Sequence, residues 1–341
     1  MHILKKVLRP IRKIREIYRI YLKNVSAGFD DYANIISVFG SGKKLKILYT
    51  GTGDAYIAAA YYKNYIAYLN EESQALLVVG SNSVKRIFSL YGIEDAHVVE
   101  PQSIYKLIKL YVFLGDEDKF EILHPHIFFR HTGFLAYMEG IHSGMNFAYM
   151  MKNIVFENVL HDAPAIPRFD KDHKYMELLE KQKGMDRNNS VILVPSSTTI
   201  KALTIDFWVK LAQRLKEKGV KVFVNSDDMK VLQKLEADNL FLPYKYIVPV
   251  LDIFNCIVIG MRCGLFDVIS SSSCLKILLY NDNEKRGCAQ TANLLSSFSL
   301  TEMYGNCNAK EYLVSGKNQD EILGCIIEDV CQERLIGKEG V

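Results

Sequence analysis

Apolar residues gather along this chain in short runs, each followed by a stretch in which they recur every three or four positions. Ile47-Leu48-Tyr49 leads into Ile57, Ala58, Tyr61, Tyr62, Tyr65, Ile66 and Leu69. The short run marks a strand buried on both faces, and the wider spacing marks a helix laid against a sheet. The alternation continues, with a strand expected over 75–80, a helix over 83–90, a short strand over 96–99, a helix over 103–114 and a strand end at 121–123. A charged, less periodic passage runs from Asp170 to Asn189. The pattern then restarts, with strands at 190–195, 220–224, 257–260 and 277–280 and an amphipathic helix from Phe207 to Lys218 closed by Gly219. This order predicts an α/β fold of parallel sheets and crossover helices. The restart predicts two consecutive βα domains with a cleft between them, one over 45–185 and one over 190–330, the linker lying near the end of the charged passage. Residues 130–156, rich in Met, Phe, Tyr and Gly, are expected to form a loop-and-helix insertion facing a ligand.

Length and composition agree with that picture. A chain of 341 residues suits two α/β domains better than one core, and 49% hydrophobic with 24% charged residues is ordinary for a globular protein. No apolar run reaches the roughly 18 to 20 residues of a spanning helix, and the charged N-terminus lacks the apolar core of a secretory signal. The seven cysteines are odd in number, lie beyond residue 255 and include no Cys-x-x-Cys pair. Free thiols in a reducing cytoplasm are expected, with Cys256 and Cys274 as small core residues.

Charge is distributed unevenly. Within 1–24, Lys5, Lys6, Arg9, Arg12, Lys13, Arg15, Arg19 and Lys23 against Glu16 give +7, which leaves −4 for the rest of a chain whose total is +3. Leu4, Val7, Leu8, Ile11, Ile14, Tyr18, Tyr21 and Leu22 follow helical spacing among these cations. Residues 1–24 therefore read as a basic amphipathic helix suited to a membrane surface or a partner. Packing on the protein's own body is the plainer alternative. A nucleic-acid arm is the third, and the acidic body argues against it.

Three strand ends carry candidate chemistry. Tyr49-Thr50-Gly51-Thr52-Gly53-Asp54 is a glycine turn between a strand and a helix, the position at which open α/β sheets bind ligands. Gly51 and Gly53 permit a sharp turn, and Asp54 either faces a substrate or caps the helix. Pro195-Ser196-Ser197-Thr198-Thr199-Ile200-Lys201 offers hydroxyls, amides and one cation to a diphosphate, although it lacks P-loop spacing and a hydroxyl-rich loop is more often turn chemistry. In Gly260-Met261-Arg262-Cys263-Gly264-Leu265-Phe266-Asp267, Arg262 either binds an anion or pairs with Asp267 to shape the turn. His124, His126 and His131 are expected as loop or acceptor-site residues rather than metal ligands, since no Cys or acid nearby completes a set. Trp208 is expected as a core anchor. A dinucleotide oxidoreductase is disfavoured, because Tyr56 stands where Gly-x-Gly-x-x-Gly needs its third glycine and no acid ends the second strand.

Taken together, Lys46–Asp54, Ile192–Ser197 with Lys201 and Phe207–Ala212, and Val258–Asp267 resemble the corresponding segments of the lipopolysaccharide heptosyltransferase-like glycosyltransferases. The resemblance spans residues 45 to about 282. It implies the GT-B architecture, two Rossmann-like domains across a cleft. It implies Asp54 as the base for the attacking hydroxyl, and Ser196, Ser197 and Lys201 as donor-diphosphate ligands. The family's late Asp-Thr-Gly turn, with a His three residues on, matches Arg262-Cys263-Gly264 and Asp267. An Asp has become Arg and the His has become Asp, so an ADP-heptose donor is not implied. Similar turns occur in other enzymes of bacterial surface polysaccharides. The expectation is an inverting, metal-independent glycosyltransferase without a cofactor, Asp54 taking the proton and Ser196, Ser197, Lys201, Arg262, Cys263 and Gly264 holding the donor. Gly51, Gly53, His131 and Asp267 would stand on the acceptor side or at the turns. The expected partners are a nucleotide-sugar donor, a glycan or lipid-linked glycan acceptor of a capsule or lipopolysaccharide, and the cytoplasmic face of the inner membrane, met through residues 1–24. A non-catalytic nucleotide-sugar-binding or scaffold protein is the alternative.

Overall fold

A computed structural model describes residues 2–339 apart from Thr50, 126–142, Leu160, 198–199, 282–290, Asn306 and 315–316, with backbone alone at 2–15, 291–294 and 336–339. The first lobe runs α1 (His2–Phe39), β1 (Lys44–Leu48), α2 (Thr52–Tyr68), β2 (Ala75–Val79), α3 (Asn82–Leu90), β3 (His97–Val98), α4 (Pro101–Leu114), β4 (Phe120–Ile122) and α5 (Phe147–Val155). The second runs α6 (His173–Lys183), β5 (Ser190–Val194), α7 (Ile205–Glu217), β6 (Lys221–Val224), α8 (Met229–Leu235), β7 (Asp238–Asn239), α9 (Tyr244–Phe254), β8 (Ile257–Met261), α10 (Gly264–Val268), β9 (Lys276–Tyr280), α11 (Thr291–Phe298), α12 (Leu300–Tyr304), β10 (Ala309–Leu313) and α13 (Gln319–Glu339).

Both sheets are parallel. The strand orders are β3-β2-β1-β4 and β10-β9-β8-β5-β6-β7. The second is a complete doubly wound order and the first is its leading part. Strand order reverses between β1 and β4 in one sheet and between β5 and β8 in the other. The loops that leave these four strands are therefore the ones positioned to bind ligands.

Apolar residues on both faces of the strands explain the layers. Leu45, Ile47, Leu76 and Val78 bury against α1 and α4, while Leu48, Leu77 and Val79 bury against α2 and α3. The cluster on the second side runs without a break into the core of the second lobe, through Val191–Val194 and Ile257–Ile259. Trp208 is buried there with its ring 5.3 Å from Phe207, and Cys256 and Cys274 are buried as free thiols. Lys46, fully buried in β1, ion-pairs with Glu71 and Glu121, and Tyr65 donates to Glu121. Burial alone would raise the Glu71 carboxyl, but Lys46 and Lys44 outweigh it and hold it below its ordinary value of 4.5. A carboxyl held low in the fold adds stability above that value and loses it as pH falls through the lower folded value. Lys46→Met should therefore lower stability near neutral pH but make it fall less steeply than in the parent chain as pH drops below 4.5. Denaturation followed by circular dichroism at each pH reads this, and coincident curves would contradict it.

Two elements differ from the sequence reading. The N-terminal helix does not end near residue 24 but runs for 38 residues to Phe39. Its second half lies on α4, with Val25 and Ile35 buried and Gly28 set so closely against the Lys106 carbonyl that a Cβ would clash. The charged passage 170–189, expected in the first domain as far as residue 185, contains α6, which packs on the second lobe with the Tyr175 ring 5.0 Å from that of Tyr246. Asp172 accepts from the amides of Lys174 and Tyr175 at its start, and Gly184, at φ 64, ends it. Among the described residues no helix is long and apolar enough to cross a membrane.

Candidate functional site

The turn after β1 begins α2 with Gly51 as its N-cap, so Asp54 stands in the first helical turn rather than capping it. There the aligned amides favour a carboxylate. Beside it, the loop leaving β4 brings in His124. The pairing Ile47↔Ile122 puts the ends of β1 and β4 side by side. His124 Nε2 lies 3.6 Å from Asp54 Oδ2. On its other side Nδ1 lies 3.4 Å from the Tyr49 hydroxyl, with the Tyr49 ring packed edge-on at 5.3 Å. The histidine is buried, whereas the Asp54 side chain is 28% exposed. A carboxylate that reaches the solvent past the end of a strand, with a buried imidazole 3.6 Å behind it, is placed to accept a proton.

On the second sheet, the loops leaving β5 and β8 are joined. Ser197 Oγ donates to the Arg262 carbonyl at 2.9 Å and accepts from the Ile200 amide at 3.2 Å. Ser196 and Lys201 are exposed on the same loop, and the Lys201 carbonyl accepts from Asn281. Thr198 and Thr199 lie outside the described residues.

Arg262 does not offer its charge to this loop. Its Nη2 and Nη1 hold Asp267 Oδ1 and Oδ2 at 2.6 and 2.8 Å. Nε donates to the Phe298 carbonyl and Nη1 also to that of Cys263, while Nη2 meets Met303 Sδ at 3.6 Å. All five guanidinium N–H groups are thus spent. Burial would lower this guanidinium, but Asp267 beside it outweighs that effect and raises it. The expected phosphate contact of Arg262 does not fit these bonds; its geometry is that of the alternative, an ion pair that shapes the turn. Asp267 is committed likewise, taking a further bond from the Tyr304 hydroxyl at 3.0 Å. Cys263 is the N-cap residue of α10, and burial pushes its thiol up against the opposing effect of the Leu265 and Phe266 amides.

The two switch points meet. A Cβ on Gly264 would overlap Thr52 Oγ1 and the Gly53 amide nitrogen, and a Cβ on Gly53 would overlap the Asp267 carboxylate. Only glycine at both positions lets α2 and α10 approach this closely. Ring contacts extend the seam: Tyr56 with Tyr304 at 6.1 Å and Phe147 with Phe298 at 5.2 Å. Asp54 is adjacent to that contact on one side, and Ser197 is one hydrogen bond from Arg262 on the other. A cavity of about 410 Å³ opens farther along, between Gly144 and Asn146 of the first lobe and Ser296, Ser299 and Glu302 of the second.

No protein-family model matches the chain, and the curated proteins give no match. Among solved structures it is similar to E. coli ADP-heptose lipopolysaccharide heptosyltransferase II, at 13% identity and a TM-score of 0.48 over 86% of this chain and 99% of that one. It is also similar to a glycosyl transferase family 9 protein from Veillonella parvula DSM 2008, at 10% identity and a TM-score of 0.48 over 88% and 98%. E. coli heptosyltransferase WaaC with ADP gives 10% identity and a TM-score of 0.48 over 85% and 99%. At these values the likeness assigns no activity.

Of the residues expected from sequence, the structure brings Gly53, Gly264 and Asp267 together at the seam, with Asp54 next to Gly53 in the chain, Gly51 opening the turn and Ser196, Ser197 and Lys201 on the loop bonded to Arg262. His131 and His126 lie outside the described residues. Among those described, no three of His, Cys, Asp and Glu gather as a metal would require. The partner that sequence reasoning did not assign is His124. Its His-x-His setting drew attention, but only the β1–β4 pairing places it against Asp54.

Proposed function

We propose that this chain is a glycosyltransferase that binds a nucleotide sugar at the seam between its lobes and transfers the sugar, with inversion, to a glycan of a bacterial surface polysaccharide. The observation that carries the reading is the partly exposed Asp54 carboxylate, with His124 beside it, one residue after the Gly53 at which the first switch point meets Gly264 of the second. The acceptor hydroxyl oxygen attacks the anomeric carbon as the bond to the diphosphate breaks. Asp54 takes the hydroxyl proton, and the nucleoside diphosphate leaves with the electron pair. Ser196, Lys201 and the loop amides offset the charge that develops on it, so the scheme calls on no metal. His124 is a positioning residue for Asp54. Arg262 and Asp267 hold the seam.

A panel of UDP-, GDP-, ADP- and CMP-sugars tests this by thermal shift. The cognate donor at 100 times its dissociation constant adds about 2.7 kcal/mol, a rise of about 5–10 °C, and Lys201→Ala should remove most of it. If no nucleotide sugar shifts the melting temperature even at high concentration, the reading fails. The saturated Arg262 and the tight Gly53–Gly264 contact favour a second reading, a protein that binds donor without turnover. It predicts the same shift with neither hydrolysis nor transfer.

A further inference from the structure

We propose that α1 and the last turn of α4 form one face that seats on an anionic lipid surface. This inference is independent of the catalytic reading. The two helices run antiparallel. Gly28 meets the Lys106 carbonyl, Asp31 pairs with Lys106 at 3.5 Å, and Lys109 Nζ lies over the rings of Tyr21 and Tyr105 at 5.9 and 5.0 Å. One further turn along each helix brings Phe113 level with the region of Ile17 and Tyr18. There the coverage stops. Ile17 is 59% and Phe113 47% exposed, and Tyr18, Ile20 and Leu114 are exposed with them. A stripe that is core from Tyr21 to Phe39 thus continues into solvent, joined by the end of a second helix.

Charge selects the occupant. Arg19 and Lys23 are exposed on the same stretch of α1, and residues 1–24 carry eight cations against one acid, which outnumber Asp116, Glu117 and Asp118 just beyond the end of α4. In sequence the same three-and-four spacing runs back through Ile14, Ile11, Leu8, Val7 and Leu4. A helix with one apolar face and a large excess of cations matches the boundary between anionic headgroups and acyl chains. A second copy of this helix would oppose eight cations with eight. A nucleic acid would satisfy the cations but leave Ile17, Ile20, Phe113 and Leu114 uncovered.

Flotation of the full chain with vesicles of phosphatidylcholine, alone or mixed with phosphatidylglycerol, tests this. The chain should float with the mixed vesicles only and release as salt rises past about 100 mM. Ile17→Asp with Phe113→Asp should weaken partition at least about tenfold, with an unchanged thermal melt because both side chains are exposed. Arg19→Glu with Lys23→Glu, a second route that leaves the apolar patch intact, should weaken it comparably. Absence of flotation with anionic vesicles overturns the proposal. So does parental binding by either variant, displacement of the vesicles by duplex DNA, or a lipid-free dimer that Ile17→Asp dissolves.

Discussion

Asp54→Asn should lower the turnover of glycosyl transfer by about 10²- to 10⁴-fold while leaving donor affinity nearly unchanged. Asparagine matches aspartate in shape and cannot take a proton. The substitution also removes the carboxylate's favourable interaction with the first turn of α2, worth about 0.3–1 kcal/mol, too little to unfold the chain. The loss should therefore appear in kcat and not in the thermal shift given by the donor. His124→Asn gives the companion result. The imidazole is buried and touches Asp54 rather than the solvent-facing side of the site, so its loss should lower kcat by less than Asp54→Asn. Steady-state kinetics with the stabilising nucleotide sugar reads both. A folded Asp54→Asn chain with near-parental turnover would refute the assignment of the base.

The βα order was legible because parallel strands buried on both faces leave unmistakable apolar runs, such as Leu76–Val79 and Ile257–Ile259. The same runs concealed Lys46, a cation inside a strand whose burial depends on Glu71 and Glu121 from elsewhere in the chain. Helix α1 was legible only in part. Gly28 lowers helix propensity, and its use, close approach to α4, exists only in three dimensions. The Asp54 turn was recognisable locally, since glycine spacing and the helix that follows are contiguous. His124 lies 70 residues away and becomes relevant only through the register of β4 on β1. For Arg262 and Asp267 the sequence allowed both a ligand contact and an ion pair. The choice rests on Phe298, Met303 and Tyr304, which close around the pair from another part of the chain.

That pair carries the second large effect. Asp267→Asn should destabilise the chain by about 3–5 kcal/mol, because it leaves the Arg262 guanidinium buried without its carboxylate. The side chains are 7% and 3% exposed, so water cannot screen the uncompensated charge. The melting temperature of the transition that includes the second lobe should fall by about 10 °C, allowing about 2–4 °C per kcal/mol for domains of this size. Arg262→Met combined with Asp267→Leu should recover much of the loss, since removing both charges also removes their desolvation cost. The Asp267 carboxylate further abuts Gly53 at the start of α2, so the single variant should loosen the seam as well as the second lobe. Calorimetry measures the stability and limited proteolysis the seam. If the single variant costs under about 1 kcal/mol, or the double variant is no better than the single, the pair does not fix the turn on which the second lobe meets Gly53.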